Sequence, residues 1–242
     1  VAPEKIYTLS VMPCVAKKGE REMELFYGEY AGHDIDAVIT TRELVKMIRS
    51  AHISPETLED IESDRPMQEG TGAGVIFGAT GGVMEAALRT AYHIIKKENP
   101  PADAFKMVRS PGFQENHGVM EAELAIDDIT VRIAVVSGLG NTRRLLEKIE
   151  GGEVKYDFVE VMACPGGCVG GGGQPIHDGE ELAAERADTL YHLDRNAKLR
   201  YSHENPSIHA LYDEYLGKPL SELAEKLLHT DHEAWQMPHT ER

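Results

Sequence analysis

Hydrophobic positions follow two different spacings along the first two-thirds of the chain. Apolar residues three and four apart predict a helix that begins at Thr41 and two further helices at 83–97 and 142–149. Asn99 and Pro100 should end the second helix, because proline cannot continue a helix. Short apolar runs predict strands at 5–11, 36–40, 104–109, 119–126, 129–136 and 158–161.

This alternation of strands and helices predicts an α/β fold with mixed twisted sheets flanked by helices. Asp127 and Asp128 are a plausible turn between two of the strands, and 54–70 is predicted to be an irregular acidic connection. From about Glu180 the sequence is polar and mostly helical in pattern. We expect a main domain over 1–192 and a helical extension over 193–242.

Composition and charge exclude several classes of protein. The 242 residues are enough to bury a core, and 41% of them are hydrophobic. A net charge of −16 leaves no excess of Lys and Arg for binding nucleic acid. The longest apolar runs, such as 133–136, fall far short of the roughly 20 residues of a membrane span. Because the chain begins at Val1 without a visible signal peptide, we expect a processed chain or a fragment.

Three cysteines carry the clearest chemical signal. An odd count at this length does not form a disulfide framework, so we expect free thiols in a reduced, cytoplasmic compartment. Cys164 and Cys168 lie in CPGGCVGGGGQP, where the glycines let the backbone wrap closely around a bulky object. Such a Cys-x3-Cys loop suits a soft metal centre bound by thiolates. Cys14 ends a predicted strand, and taken alone it is equally well a small buried hydrophobe.

Other cofactor sites fit the sequence less well. A structural zinc site needs four Cys or His ligands, usually with Cys-x2-Cys pairs, and the sequence contains no such pair. No Gly-Lys-Ser/Thr follows the four-glycine run, which disfavours a phosphate loop. The segment SGLGN at 137–141 follows a strand and opens a helix, but Arg143 occupies the position of the third glycine of a dinucleotide fingerprint. The 11 histidines are scattered, so we treat them as surface residues.

Several segments together resemble [FeFe] (iron-only) hydrogenases. The segment VMPCVAKKGE at 11–20 is similar to the second cluster-binding motif of that family, and EVMACPGGCVGGGGQP at 160–175 is similar to the third. The segments 34–44 and 72–87 resemble the intervening regions, and 202–229 resembles the small-subunit-like helical extension. The resemblance implies that the chain forms part of a two-lobed hydrogenase catalytic domain.

The resemblance also implies a cofactor and its ligands. Cys14, Cys164 and Cys168 would bind a [4Fe-4S] cluster, and Cys168 would also bridge to a binuclear iron subcluster. That subcluster carries CO, cyanide and a bridging dithiolate, and the two parts together form the H-cluster. Lys17 would donate a hydrogen bond to a cyanide, as a buried cation facing an anionic ligand.

The same resemblance assigns five further residues. Glu20 would pair with Lys17 and lower the cost of burying its charge. Met12 and Met162 would pack against the binuclear site, and Phe77 and Gly78 would line its pocket. Outside this motif, Lys17 and Glu20 are typical of an exposed pair on a helix.

One departure from the family pattern predicts that this chain alone does not supply all the ligands of the cluster. The first cluster-binding motif, which supplies the fourth cluster ligand, is absent, and Trp235 is the only tryptophan. We therefore expect the chain to need an upstream hydrogenase segment or subunit. The family resemblance implies H2 and protons as substrates, maturation proteins, and a ferredoxin or a nicotinamide-linked subunit as electron partner.

The resemblance is compatible with a catalytic hydrogenase and with relatives of other function. The complete enzyme would interconvert H2 with protons and electrons. Alternatives are a non-catalytic iron-sulfur assembly protein of the same fold, an H2-sensing hydrogenase, and an interaction subunit that keeps the motif as a relic. Met12, Lys17, Glu20 and Met162 favour the enzyme, since they would serve the binuclear site and not the [4Fe-4S] cluster.

Overall fold

The structure is a computed structural model that describes residues 1–28, 32–62, 64, 70–109 and 118–229. Within these residues the strands are β1 (Leu9–Met12), β2 (Tyr27–Gly28), β3 (Gly32–His33), β4 (Ala37–Thr40), β5 (Val119–Ile126), β6 (Ile129–Ser137) and β7 (Phe158–Met162). The α-helices are α1 (Lys17–Glu20), α2 (Thr41–Ser50), α3 (Gly72–Val75), α4 (Gly82–Lys96), α5 (Leu139–Glu150), α6 (Ala183–Asn196), α7 (Pro206–Leu211) and α8 (Glu222–Leu228).

Short turns of other helix types connect these elements. A π-helical turn, Tyr212–Leu216, follows α7 directly. The 3-10 turns are Pro3–Lys5, Glu24–Phe26, Pro55–Thr57, Ile76–Gly78, Lys106–Val108, Cys168–Gly170 and Ser202–Glu204. No helix in the described part of the chain is both long and apolar enough to cross a membrane.

The strands form three small sheets. β1 pairs with β4 in parallel, and Met12 lies opposite Thr40 at the end of that pair. β2 and β3 form a short antiparallel pair. In the third sheet, β6 pairs with β5 antiparallel and with β7 parallel, with Ser137 opposite Met162. The mixed α/β architecture is confirmed, and β1 and β7 each end two residues before a cysteine.

The core lies on both faces of β6, which explains why that strand is apolar almost throughout. On one face Ile133 and Val135 pack in a cluster with Met84, Leu88, Phe105 and Val108, all of them buried. On the other face Ala134 and Val136 pack against Leu145 of α5. Burying a side chain of this size contributes about 1.5–3 kcal/mol. The two helices therefore fix the sheet that leads to Ser137.

The predicted strand over 104–109 is wrong, because this segment forms the 3-10 turn Lys106–Val108. Asp103 has a φ of 59°, which breaks an extended conformation just before it. Phe105 and Val108 are both buried in the core, and residues three apart share one side of a 3-10 turn. A strand would have placed these two side chains on opposite faces.

The strand predicted over 119–126 and the helix start predicted at Thr41 are confirmed, and other predicted elements occur with shifted ends. β1 covers the second half of the predicted strand 5–11, since Pro3–Lys5 is helical. α5 begins three residues earlier than predicted, and α4 runs over 82–96. Part of the predicted irregular connection at 54–70 lies outside the described residues, as does the end of the predicted helical extension.

A buried network of ion pairs joins α4 to α6. Arg89 donates to both oxygens of Asp194 at 2.7 and 2.8 Å and to Glu85 at 2.6 Å. Arg109 binds both oxygens of Glu85, and Arg200 donates to Asp194 at 3.0 and 3.2 Å. The side chains of Glu85, Arg89 and Asp194 are at most 4% exposed. These contacts hold α6 against α4.

Candidate metal centre

The two cysteine-bearing loops meet through glycine backbone. The amide of Gly173 donates to the carbonyl of Pro13 at 2.9 Å, and the amide of Arg42 donates to the carbonyl of Gly173 at 3.0 Å. A Cβ on Gly171 would lie 2.1 Å from the Pro13 oxygen, and one on Gly173 would lie 2.8 Å from the Cys14 nitrogen. These two positions therefore require glycine because the loop lies directly on the end of β1.

The first part of the loop is held from the other side, by the chain before α4. The amide of Thr80 donates to the carbonyl of Gly166 at 3.0 Å. Gly167 has a φ of 90°, and a Cβ there would lie 2.7 Å from the Thr80 nitrogen. Only glycine fits this left-handed position without strain. Two separate backbone contacts thus fix the loop that carries Cys164 and Cys168.

The three cysteines lie on the two loops that meet at this junction. Cys14 and Cys164 are partly buried, and Cys168 is exposed. Desolvation of its sulfur raises the pKa of the Cys168 thiol, Cys164 and Cys14 raise it further, and Lys17 opposes them. This direction agrees with the backbone contacts, which bring the loop of Cys164 and Cys168 against Pro13 and Cys14. The structure therefore brings together residues that are about 150 positions apart in the sequence.

Lys17 and Glu20 form the predicted pair. The Nζ of Lys17 donates to Oε1 of Glu20 at 2.6 Å within the short helix α1. Their side chains are 44% and 38% exposed, so neither is buried within this chain. Burial of Lys17 therefore stays a prediction that requires further protein surface over this site.

The other predicted residues surround the cysteines to different degrees. Met12 and Met162 end strands β1 and β7 and are partly buried. Phe77 is 46% exposed on the turn Ile76–Gly78, which contacts the turn Cys168–Gly170. Gly78 is partly buried on that turn, and a Cβ there would lie 2.7 Å from Cδ1 of Leu190. Phe77 thus offers an open apolar surface near Cys168.

The donor set fits an iron-sulfur cluster better than a single metal ion. No group of three or more His, Cys, Asp or Glu side chains in the described ranges is arranged around one ion position. A four-iron cluster does not need such convergence, because each thiolate binds a different iron. The three thiols, two on the glycine loop and one on the loop after β1, match the soft ligand chemistry of such a cluster.

Glu160 supports the site through contacts that its place in the motif did not predict. Its carboxylate accepts hydrogen bonds from the amides of Gly81 and Met84, at 2.6 and 2.7 Å. These are amides at the N-terminus of α4, where a carboxylate is favoured. Burial raises the pKa of Glu160, and the backbone donors oppose that effect. The only sequence signal for this role was a charged residue, Glu160, inside the otherwise apolar strand segment 158–162.

Comparison with known proteins identifies the family. The family described as "Iron only hydrogenase large subunit, C-terminal domain" matches residues 1–172, and "Iron hydrogenase small subunit" matches 180–235. The NADP-reducing hydrogenase subunit HndD of Solidesulfovibrio fructosivorans is 47% identical over 94% of this chain and 38% of its own length. Cytosolic iron-sulfur assembly component 3 of Mus musculus is 32% identical over 98% of this chain and 50% of its own length.

Solved structures agree with this result. An apo [FeFe]-hydrogenase from Chlamydomonas reinhardtii is 40% identical with a TM-score of 0.76, covering 95% of this chain and 63% of that chain. The chain thus spans less than two thirds of the length of these relatives. Since the match to the large-subunit domain covers well over half of the residues, the chain belongs to the iron-only hydrogenase family.

Proposed function

We propose that this chain is the C-terminal part of the catalytic unit of an [FeFe] hydrogenase, which reversibly oxidises H2. The observation that carries the proposal is the packing of the loop of Cys164 and Cys168, through Gly171 and Gly173, directly against Pro13 and Cys14. Three thiols suit a [4Fe-4S] cluster, and a cation beside them suits a further anionic ligand set. The binuclear iron subcluster, when bound, supplies the H2 chemistry itself.

Each site residue has a defined task in this proposal. Cys14, Cys164 and Cys168 would hold the [4Fe-4S] cluster, and Cys168 would also be shared with the binuclear subcluster. Lys17 would donate from Nζ to a cyanide ligand, and Glu20 would keep that ammonium oriented through its 2.6 Å contact. Met12 and Met162 would pack against the binuclear subcluster, and Phe77 and Gly78 would line its pocket.

A second part must complete the site. The three cysteines leave one iron of a [4Fe-4S] cluster without a protein ligand, and Lys17 is half-exposed. We propose that an upstream segment or subunit supplies the fourth cysteine and covers Lys17 and Phe77. We keep 1–192 and 193–242 as the proposed division into domains. A ferredoxin or nicotinamide-linked electron partner, maturation proteins and a cytoplasmic location belong to the same proposal.

An iron-sulfur assembly protein is the main alternative, since a relative at 32% identity carries that name. Such a protein would need the cysteines but no residue that donates a hydrogen bond to a cyanide ligand. The presence of Lys17, Glu20, Met12 and Met162 favours the hydrogenase. An H2-sensing hydrogenase would keep the same residues and differ in its rate of turnover.

Infrared spectroscopy of the anaerobically matured protein, with its complete native polypeptide, tests the proposal. Metal-bound CO and cyanide should give bands in their characteristic window. Lys17→Ala should shift the cyanide bands because it removes a charge-assisted hydrogen bond, typically about 1.5–3 kcal/mol. Lys18→Ala is the matched control, since Lys18 pairs with Glu43 and lies one residue away.

The outcomes separate the candidates. Bands that respond to Lys17→Ala but not to Lys18→Ala support the hydrogenase. A matured protein with a [4Fe-4S] cluster but no such bands would exclude it and leave the assembly protein. Bands together with turnover of H2 far slower than in hydrogenases would indicate the sensor.

A further inference from the structure

Ser137 ends β6 directly beneath the loop that carries Cys164. It is 2% exposed, and its position in the sheet is fixed by pairing with Met162 at the end of β7. Its hydroxyl lies 3.3 Å from the carbonyl oxygen of Cys164 and 3.3 Å from the amide nitrogen of Gly166. A third contact of 3.3 Å reaches the hydroxyl of Thr80.

The chemistry of the partners fixes the direction of all three hydrogen bonds. A carbonyl oxygen can only accept, so Ser137 donates its one proton to Cys164. The amide of Gly166 can only donate, so Ser137 accepts there. The hydroxyl of Thr80 must then donate to the second lone pair of Ser137. The Ser137 hydroxyl is thereby saturated, with one bond donated and two accepted.

Thr80 is held to the loop a second time. Its amide donates to the carbonyl of Gly166, so both its backbone and its side chain act on the cysteine loop. It is 5% exposed and lies just before α4, whose N-terminal amides bind Glu160. The peptide units on either side of Pro165 are therefore tied to β6 through Ser137, and the next peptide unit, after Gly166, is tied to the start of α4 through Thr80.

We propose that Ser137 and Thr80 are positioning residues that set the orientation of Cys164 towards the cluster. The inference rests on the part of the proposed function that gives Cys164 a cluster iron. Reduction potentials of iron-sulfur clusters respond to hydrogen bonding and solvent exposure around their ligands. Releasing the Cys164 carbonyl alters both, although neither hydroxyl contacts the metal.

The test uses the complete native polypeptide with its [4Fe-4S] cluster reconstituted anaerobically and without the binuclear part. Thr80→Val removes the hydroxyl and keeps the side-chain shape, while Thr80→Ser restores the hydroxyl. Ser137→Ala removes all three contacts. Ser221→Ala is the control, because Ser221 also makes two side-chain hydrogen bonds but caps α8 away from the cysteines.

Two readouts are measured for each variant. One is the electron paramagnetic resonance spectrum and midpoint potential of the cluster, and the other is the rate of iron loss to a chelator. Thr80→Val should change the spectrum and potential and speed iron loss about 2- to 10-fold, the effect of one ordinary hydrogen bond. Ser137→Ala removes three hydrogen bonds and should change both readouts by at least as much. Thr80→Ser and Ser221→Ala should behave like the unmodified protein.

Several results would overturn the proposal. One is a wild-type spectrum and iron-loss rate in Thr80→Val, and another is an equal change in Ser221→Ala, which would indicate general destabilisation. If Ser137→Ala does not fold, the comparison of Thr80→Val with Thr80→Ser decides alone. This test does not need the binuclear site. Its result would therefore stand even if the infrared experiment found no CO and cyanide bands.

Discussion

Replacing Asp194 with asparagine should destabilise the fold strongly while changing almost no volume. Asp194 is fully buried and accepts hydrogen bonds from Arg89 and Arg200. The network to which it belongs contains three carboxylates and three guanidinium groups among the described residues. They are Glu85, Asp103, Asp194, Arg89, Arg109 and Arg200.

The charges of this network balance, and Asp194→Asn leaves one positive charge uncompensated. Glu85 still forms ion pairs with Arg89 and Arg109, and Asp103 still pairs with Arg200. Only part of the network's negative charge is lost, but it is lost at the most buried carboxylate. Breaking a buried ion pair by removing one partner costs about 3–5 kcal/mol. At about 2–4 °C per kcal/mol for a chain of this size, the Tm should fall by about 6–20 °C.

Urea and thermal unfolding followed by circular dichroism would measure this effect. Glu123→Gln is the control, because Glu123 pairs with Arg132 on the sheet surface, where both side chains are about 60% exposed. Exposed pairs contribute little, so the control should unfold like the unmodified chain. A change below about 1 kcal/mol for Asp194→Asn would refute the assignment of the network as the main link between α4 and α6.

Two further predictions follow from the same structure. Gly171→Ala should prevent stable cluster binding, measured as iron per protein, because the new Cβ would lie 2.1 Å from the Pro13 oxygen; Gly172→Ala should bind normally, since it meets only Val15, at 3.9 Å. Equal iron content in both would contradict the close-packing argument. Burial alone would raise the pKa of Asp194, but its arginine partners outweigh burial and hold the pKa below its usual value. The stabilisation by the ionised Asp194 carboxylate is therefore present above about pH 4 and is lost as the pH falls through its pKa in the folded state. The difference in unfolding free energy between the unmodified chain and Asp194→Asn should therefore shrink as the pH is lowered. A difference that stays constant to low pH would contradict this.

Local patterns were sufficient for most of the fold. β5 and β6 are long apolar strands with a two-residue turn, and α4 has clear helical spacing, so both were predictable from neighbours in sequence. The structure of the segment at 104–109 was not predictable in this way, because buried apolar residues such as Phe105 and Val108 are compatible with either a strand or a 3-10 turn. Its structure is decided by the positive φ of Asp103 and by contacts with distant core residues.

The motifs, and not physical spacing alone, predicted which residues form the candidate site. The glycines around Cys164 and Cys168 indicated a wrapped loop, and the structure gives the reason in their contacts with Pro13 and Thr80. No sequence pattern could pair Arg89 with Asp194, which lie 105 positions apart. Ser137 was visible only as part of a segment that loosely resembled a dinucleotide loop.

The cysteines extend from two different sheets, Cys14 from the β1–β4 pair and Cys164 and Cys168 from the end of β7. A cluster bound by all three in the folded state would act as a cross-link between the two sheets and would close a loop of about 150 residues, which the unfolded chain, without the assembled site, would not close. Metal loading and folding are then thermodynamically linked: whatever the thiolates gain by binding iron is added to the cohesion between the two sheets, and a chelator weakens both together.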